Sequence, residues 1–175
     1  MAIVLGQSLD RSHYGYSHQF NAVEEPSHPA TRQLLTYWRD CEARGGMRMG
    51  RDVPARPIAA LLRNVTVAEP VGDWEDARMR LAGFGTAEYF GRDVTGSLLS
   101  EIIAGSEGEL KMLLAGSRKA IAKRRPGMVE HLLYEGGREV LRQEMTAFPL
   151  IAPDGDGYWI LCSTFDFPRS DLKTP

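Results

Sequence analysis

The sequence predicts an α+β domain in which one antiparallel sheet carries helices. Three observations lead there. Apolar and polar residues alternate at period two across 64–83 and again after residue 127. Gly136-Gly137 separates two of the later runs, a strong hairpin signal. Helical spacing dominates residues 29–44 and 106–125 instead. Composition agrees with one folded domain: 175 residues, 43% hydrophobic, 25% charged and a net charge of −2. This balance argues against wholesale disorder and against a broadly basic nucleic-acid surface.

Residues 1–27 show no sustained period and read as an N-terminal arm, partly disordered, that orders on contact. Residues 28–63 read as cap helices. Ser27 or His28 suits the N-cap of the first, Pro29 suits its first turn, and Gly45-Gly46 stops it. Leu34, Leu35, Trp38 and Cys41 form its apolar stripe. Pro57 opens a short second helix over Ile58–Leu62. Residues 64–167 read as the core. Strands are expected near 64–71, 77–83, 127–135, 138–152 and 157–167, with short helices over 86–103. The longer helix begins at Ser106-Glu-Gly-Glu109, a capping box, and ends in a run of cations before Pro126-Gly127. Residues 168–175 form a C-terminal tail.

Most motifs reduce to structure. Gly83-Phe-Gly85 lacks the third glycine of a dinucleotide fingerprint, because Glu88 stands there. Asp154-Gly-Asp-Gly157 is a hairpin loop without the glutamate of a calcium loop. The histidines are scattered, no zinc spacing occurs, and Cys41 and Cys162 read as small core hydrophobes. The cations from Arg118 to Arg125 read as a solvated helix end, with a docking patch for an acidic partner as the alternative. No apolar run approaches the roughly 18 residues of a membrane span. With no targeting signal recognised and no disulfide framework, a cytoplasmic location is expected.

One pairing carries more. A simple register across Gly136-Gly137 sets Leu132 opposite Leu141, Met128 opposite Met145 and Glu130 opposite Gln143. That face is the more apolar and is expected to point inward. Glu130 and Gln143 would then need each other, water or a ligand.

His28-Pro-Ala-Thr-Arg-Gln-Leu-Leu-Thr-Tyr-Trp38, Pro54–Leu62, Arg80-Leu-Ala-Gly83 and Phe90-Gly-Arg-Asp-Val-Thr-Gly96 together resemble the short PAS proteins common in alphaproteobacteria. The likeness covers about residues 28–167. It implies a five-stranded antiparallel sheet of order 2-1-5-4-3, helices over one face around a small cavity, and an N-terminal cap helix. It also implies a sensor or adaptor, not an enzyme, that binds a small ligand or a partner protein and signals in trans. On this reading Met79, Leu81, Tyr89, Phe90, Leu114, Leu132, Met145 and Leu161 line one interior space, with Glu130 and Gln143 as its polar contacts. The cofactor is unknown. The Asn-Cys-Arg-Phe-Leu-Gln helix of flavin photosensors is missing, and the long helix has no haem-binding histidine.

The resemblance further implies a homodimer in which Leu34, Leu35, Trp38 and Cys41 form the contact. The alternative cover is the chain's own sheet, through Phe148, Ile160 and Cys162. Two functional rivals stand beside the sensor: an isomerase-like enzyme using Glu130 as general base, and a purely structural dimerisation module. Neither nucleic acid nor a membrane is an expected partner.

Overall fold

The computed structural model describes residues 15–104 and 107–172. Six strands form one antiparallel sheet: β1 (Tyr16–Ala22), β2 (Val65–Val71), β3 (Asp76–Ala82), β4 (Gly127–Glu135), β5 (Arg138–Ile151) and β6 (Tyr158–Asp166). The helices are α1 (Pro29–Glu42), α2 (Phe84–Phe90), α3 (Leu99–Ile102) and α4 (Glu107–Lys123). The spatial order is β1-β4-β5-β6-β2-β3. The five expected strands therefore lie in the expected order, and β1 adds a sixth at the β4 edge. Its seven residues pair with β4 from Tyr16↔Glu135 to Ala22↔Val129. The expected arm thus holds a strand; residues 1–14 and Ser106 of the expected capping box lie outside the described residues. The second cap helix is a 3-10 segment, Arg56–Asn64, not an α-helix.

Each sheet face is covered. On one side, α1 lays Leu34, Leu35, Trp38 and Cys41 against Phe148, Leu150, Leu161 and Phe165, joined by Ile58 and Leu61 of the 3-10 segment. On the other, Leu114 and Ala120 of α4 meet Ile160, Ala68 and Met79, with Trp74 and Val94 closing the cluster. Among the described residues no helix is long and apolar enough to cross a membrane.

The contact expected between two subunits is instead made within the chain. Leu34 and Cys41 are 0% exposed, and Leu35 and Trp38 are 4% and 7% exposed. The Trp38 indole N–H donates to the Pro149 carbonyl at 3.1 Å, and its ring lies 6.1 Å from that of Phe148. Phe148 thus meets the helix as the alternative reading had it, while Ile160 and Cys162 belong to the opposite face. The reason is the sheet itself. Its outer face carries large apolar groups that must leave water somewhere, and a helix already tethered to the chain pays little entropy to cover them.

A buried carboxylate fixes where α1 starts. Glu144 is 1% exposed and accepts hydrogen bonds from the Ser27 N–H at 2.8 Å, the Ser27 hydroxyl at 3.2 Å and the His28 N–H at 3.2 Å. His28 then caps the helix by accepting from the Ala30 N–H through Nδ1, and its ring stacks on Phe165 at 5.3 Å. Unpaired N–H groups at the helix entry are thereby satisfied inside the fold.

Arg80-Leu-Ala-Gly83 has a steric explanation. A Cβ on Gly83 would sit 2.1 Å from the Leu62 carbonyl oxygen and 2.4 Å from that of Arg63. Only glycine permits that approach.

The β4–β5 hairpin departs from the simple register. Glu135↔Arg138 and Tyr134↔Glu139 pair as expected around the Gly136-Gly137 turn. Then Leu133 faces Leu141, so Val140 is one extra residue on β5, a bulge. Beyond it every partner shifts by one: His131 faces Gln143, Glu130 faces Glu144 and Val129 faces Met145.

Three substitutions test this packing. Trp38→Glu will lower the denaturation midpoint sharply, and Leu34→Ala will cost about 2–5 kcal/mol in urea unfolding, as for buried core sites. A folded variant of unchanged stability would mean that the α1 stripe is not core. Gly83→Ala will be destabilised in the same assay, and wild-type stability there would contradict the close approach.

Candidate functional site

The one-residue shift decides which side chains share a face. Along β5, Gln143 and Met145 fall with Ala147 on the α4 side, whereas Glu144, Thr146 and Phe148 fall on the α1 side. The expected single lining therefore divides. Met79, Phe90 and Leu114 join Gln143 and Met145 on the α4 side, with Tyr89 edge-on to Phe90 at 4.8 Å. Leu81 and Leu161 belong to the α1-side cluster, and strand alternation places Glu130 and Leu132 there as well. Glu130 faces an ion partner, Arg142, at 3.7 Å, and that guanidinium also grips Glu139 at 3.0 Å. So Glu130 and Gln143 are not a pair, and Glu130 lies across the sheet from the α4-side cluster.

Gln143 is joined there by His131, which the sequence reading left as a surface or half-buried strand residue. His131 is 1% exposed and Gln143 6%. A line of hydrogen bonds runs across four strands. His18 Nδ1 meets His131 Nε2 at 3.0 Å, His131 Nδ1 meets Gln143 Oε1 at 3.1 Å, and Gln143 Nε2 donates to Asp166 Oδ1 at 2.8 Å. Phe20 stacks on the His131 ring at 4.6 Å and covers it.

The direction of this line follows from donor chemistry. An ionised Asp166 only accepts, so the Gln143 amide nitrogen turns to it and the amide oxygen faces His131. His131 must then donate from Nδ1, which leaves Nε2 as an acceptor for the His18 Nδ1–H. Burial pushes the His131 pKa below its ordinary 6.5; the Gln143 bond opposes this and nearby His18 reinforces it. The imidazole is therefore held neutral in a buried position at neutral pH.

The cysteines match their expected role. Cys41 is fully buried with its thiol pushed up by burial, and Cys162, packed at the α4-side cluster, is pushed up to about 12 by burial. Neither is an activated nucleophile. A concavity of about 500 Å³, open to solvent, lies beside α1 between Tyr37, Asp40, Ala43, Arg44 and Pro57. Among the described residues no group of three or more His, Cys, Asp or Glu could hold a metal ion.

The architecture is now complete: a sheet of order β1-β4-β5-β6-β2-β3 with short helices and α4 over one face and α1 over the other. The PAS domain family matches this chain over residues 26–163. The chain belongs to that family. The match covers the cap helix, the short-helix region, β2 to β5 and most of β6, and leaves β1 outside. Two solved structures are among those similar to the chain. One is a light-oxygen-voltage domain studied with a flavin analogue: 15% identity, TM-score 0.41, covering 68% of this chain and 90% of that one. The other is a fungal LOV domain photoreceptor: 17% identity, TM-score 0.40, covering 78% and 91%. At these values the two bear on neither ligand nor mechanism here. No curated protein matches the chain.

What this PAS domain adds at its β4 edge is a strand carrying His18 and Phe20 onto the sheet. Alternation of Tyr16, His18 and Phe20 with Ser17 and Gln19 is the sequence signal that would have found it.

The tautomer is open to measurement. Long-range ¹⁵N–¹H correlation spectra of neutral His131 will show the hydrogen on Nδ1, and an Nε2–H tautomer would contradict the deduced direction. Gln143→Leu will leave both His131 and Asp166 short of a partner and will cost about 1–3 kcal/mol, read by urea unfolding; no loss would mean the amide contributes nothing.

Proposed function

We propose that this PAS domain is a sensor or adaptor module. It binds a small molecule on the α4 side of its sheet and passes the change to a partner protein in trans. The supporting observation is the polar line His131–Gln143–Asp166 on the same side of the sheet as the apolar cluster that α4, α2 and α3 cover. On this reading the polar groups, which share the α4 side of the sheet toward its β1 edge, orient a ligand, while apolar groups such as Met79, Phe90, Leu114 and Met145 supply affinity. Gln143 and Met145 contribute from the sheet, Met79 from β3, Phe90 and Tyr89 from α2, and Leu114 from α4. Family membership supports the sensory role. The general-base reading of Glu130 gains nothing from the geometry, because that carboxylate is paired to Arg142 on the other face.

Native mass spectrometry of the purified protein tests this, since it reports retained ligand and subunit count together. The expected result is a mass above the 19.5 kDa of the chain that Met145→Trp, which fills the proposed space, no longer retains. A bare chain mass, with no thermal shift from a panel of small metabolites, would count against a small-molecule ligand.

A further inference from the structure

We propose that the outer surface of α4 is a docking site for a carboxylate-rich segment of a partner protein. The inference gives the partner of the proposed sensor its chemistry and rests on that reading only there, since docking and ligand retention are measured separately. Arg118, Lys119, Lys123, Arg124 and Arg125 place five cations in eight residues, with no carboxylate among them. All five are exposed. None forms an ion pair with a described residue, although Arg63, Arg80 and Arg142 are all paired. The helix end does not account for them. A helix presents roughly half a negative charge at its C-terminus, felt over the last turn, so one cation there suffices. Lys119 and Lys123 stand one turn apart, where like charges oppose helix formation.

Two backbone choices at this surface work against stability. Arg124 follows the last turn at φ 47, the left-handed conformation for which a helix end ordinarily uses glycine. Around it the Arg125 N–H closes on the Ala120 carbonyl at 3.1 Å. The side chain that glycine would lack lies over the Tyr158 ring at 5.4 Å, which holds its charge beside the helix end. Gly116, by contrast, stands exposed inside the helix, where a Cβ would meet nothing within 4 Å and alanine would favour the helix. Ala115 and Ala122 are exposed too, so another chain can come close to the α4 backbone between the cations. A helix with its glycine in the middle and an arginine at its left-handed end departs from what folding alone selects, as functional surfaces do.

Charge distribution selects the occupant. The chain carries −2 in all and +5 in these eight residues, which leaves −7 for the rest. Arg118 to Arg125 span about 10 Å along the helix axis, the length of about three extended residues. Beyond them the sign reverses. Glu107 is exposed in the first turn of α4, and Asp154 and Asp156 are exposed in the turn that leads to Tyr158. A polyanion broad enough to reach past the patch, such as a bilayer surface or a duplex, meets those carboxylates, whereas a short acidic segment does not. The inner side of α4 packs Leu114 and Ala120 on the sheet, so the segment would contact the same helix that covers the proposed ligand space.

Amide ¹⁵N–¹H spectra of the full chain, titrated with an acetylated peptide of alternating Glu and Asp about eight residues long, test the site. Shifts should concentrate between Ala115 and Arg125. The double variant Lys119→Glu, Lys123→Glu, folded with the wild-type urea midpoint, should bind about tenfold more weakly. Arg124→Gly should weaken binding as well, with a midpoint no lower than that of the wild type. Raising salt from about 50 mM to about 300 mM should weaken the wild-type complex. Shifts that are absent, or that fall away from α4, would overturn the proposal, as would unchanged affinity in the folded double variant. Tighter binding of a duplex of about 20 base pairs, or of vesicles of phosphatidylserine and phosphatidylcholine, would also overturn it. A bare chain mass in the native spectrum would remove the small molecule and leave each of these expectations in place.

Discussion

Everything in this fold rests on the fact that the central sheet is apolar on both faces. Phe148, Leu150 and Leu161 project one way, Ala147 and Ile160 the other. A sheet with a single dry face is completed by one layer of helices, whereas this one needs two. The α4 side is closed by segments between β3 and β4, as the chain order supplies them. The outer side is left to the segment between β1 and β2, and α1 with the 3-10 segment fills it. Burial of that face is worth far more than the intrinsic helix preference of α1, which explains why α1 is a core element and not a loose cap.

Position matters as much as burial, and here the polar groups take over. The Glu144 carboxylate is inside the protein, yet three donors at the α1 entrance satisfy it. Removing those donors would strand a charge in the interior, so the helix and the strand specify each other. On the opposite face of the same strand, the neighbouring Gln143 does the corresponding work for His131. Two adjacent residues of β5 thus organise the two sides of the sheet.

Most of the architecture was legible in the sequence. Hairpin glycines, period-two runs and the stripe from Leu34 to Cys41 gave the strands and the cap helix, while the resemblance to PAS proteins implied the strand order. The site was less legible, and for Glu130, Leu132 and His131 the reason is local. Val140 inserts a bulge, and a one-residue slip moves every later side chain to the other face. Glu130 and Leu132 were thereby read on the wrong side, and His131 was overlooked although it stands between them. Gln143 and Met145 kept their expected face because β5 pairs with β6 independently of the turn, with Ala147↔Cys162 and Phe148↔Leu161 fixing its phase. Strand β1 escaped because its alternation is aromatic and polar instead of aliphatic. Whether the α1 stripe would be covered by its own sheet or by a second subunit was a question of reach that spacing alone does not answer.

The backbone contact at Gly83 has a mechanical meaning. The end of β3 touches the carbonyls of Leu62 and Arg63 with no side chain between them, and the Gly83 N–H is bonded to the Val65 carbonyl at 2.9 Å. With no compliant side chain to absorb a displacement, the corner that leads into α2 and the segment that supports α1 move as one rigid piece. A small rotation of α2 on one side of the sheet would arrive, undamped, at Ile58 and Leu61 beneath the helix on the other.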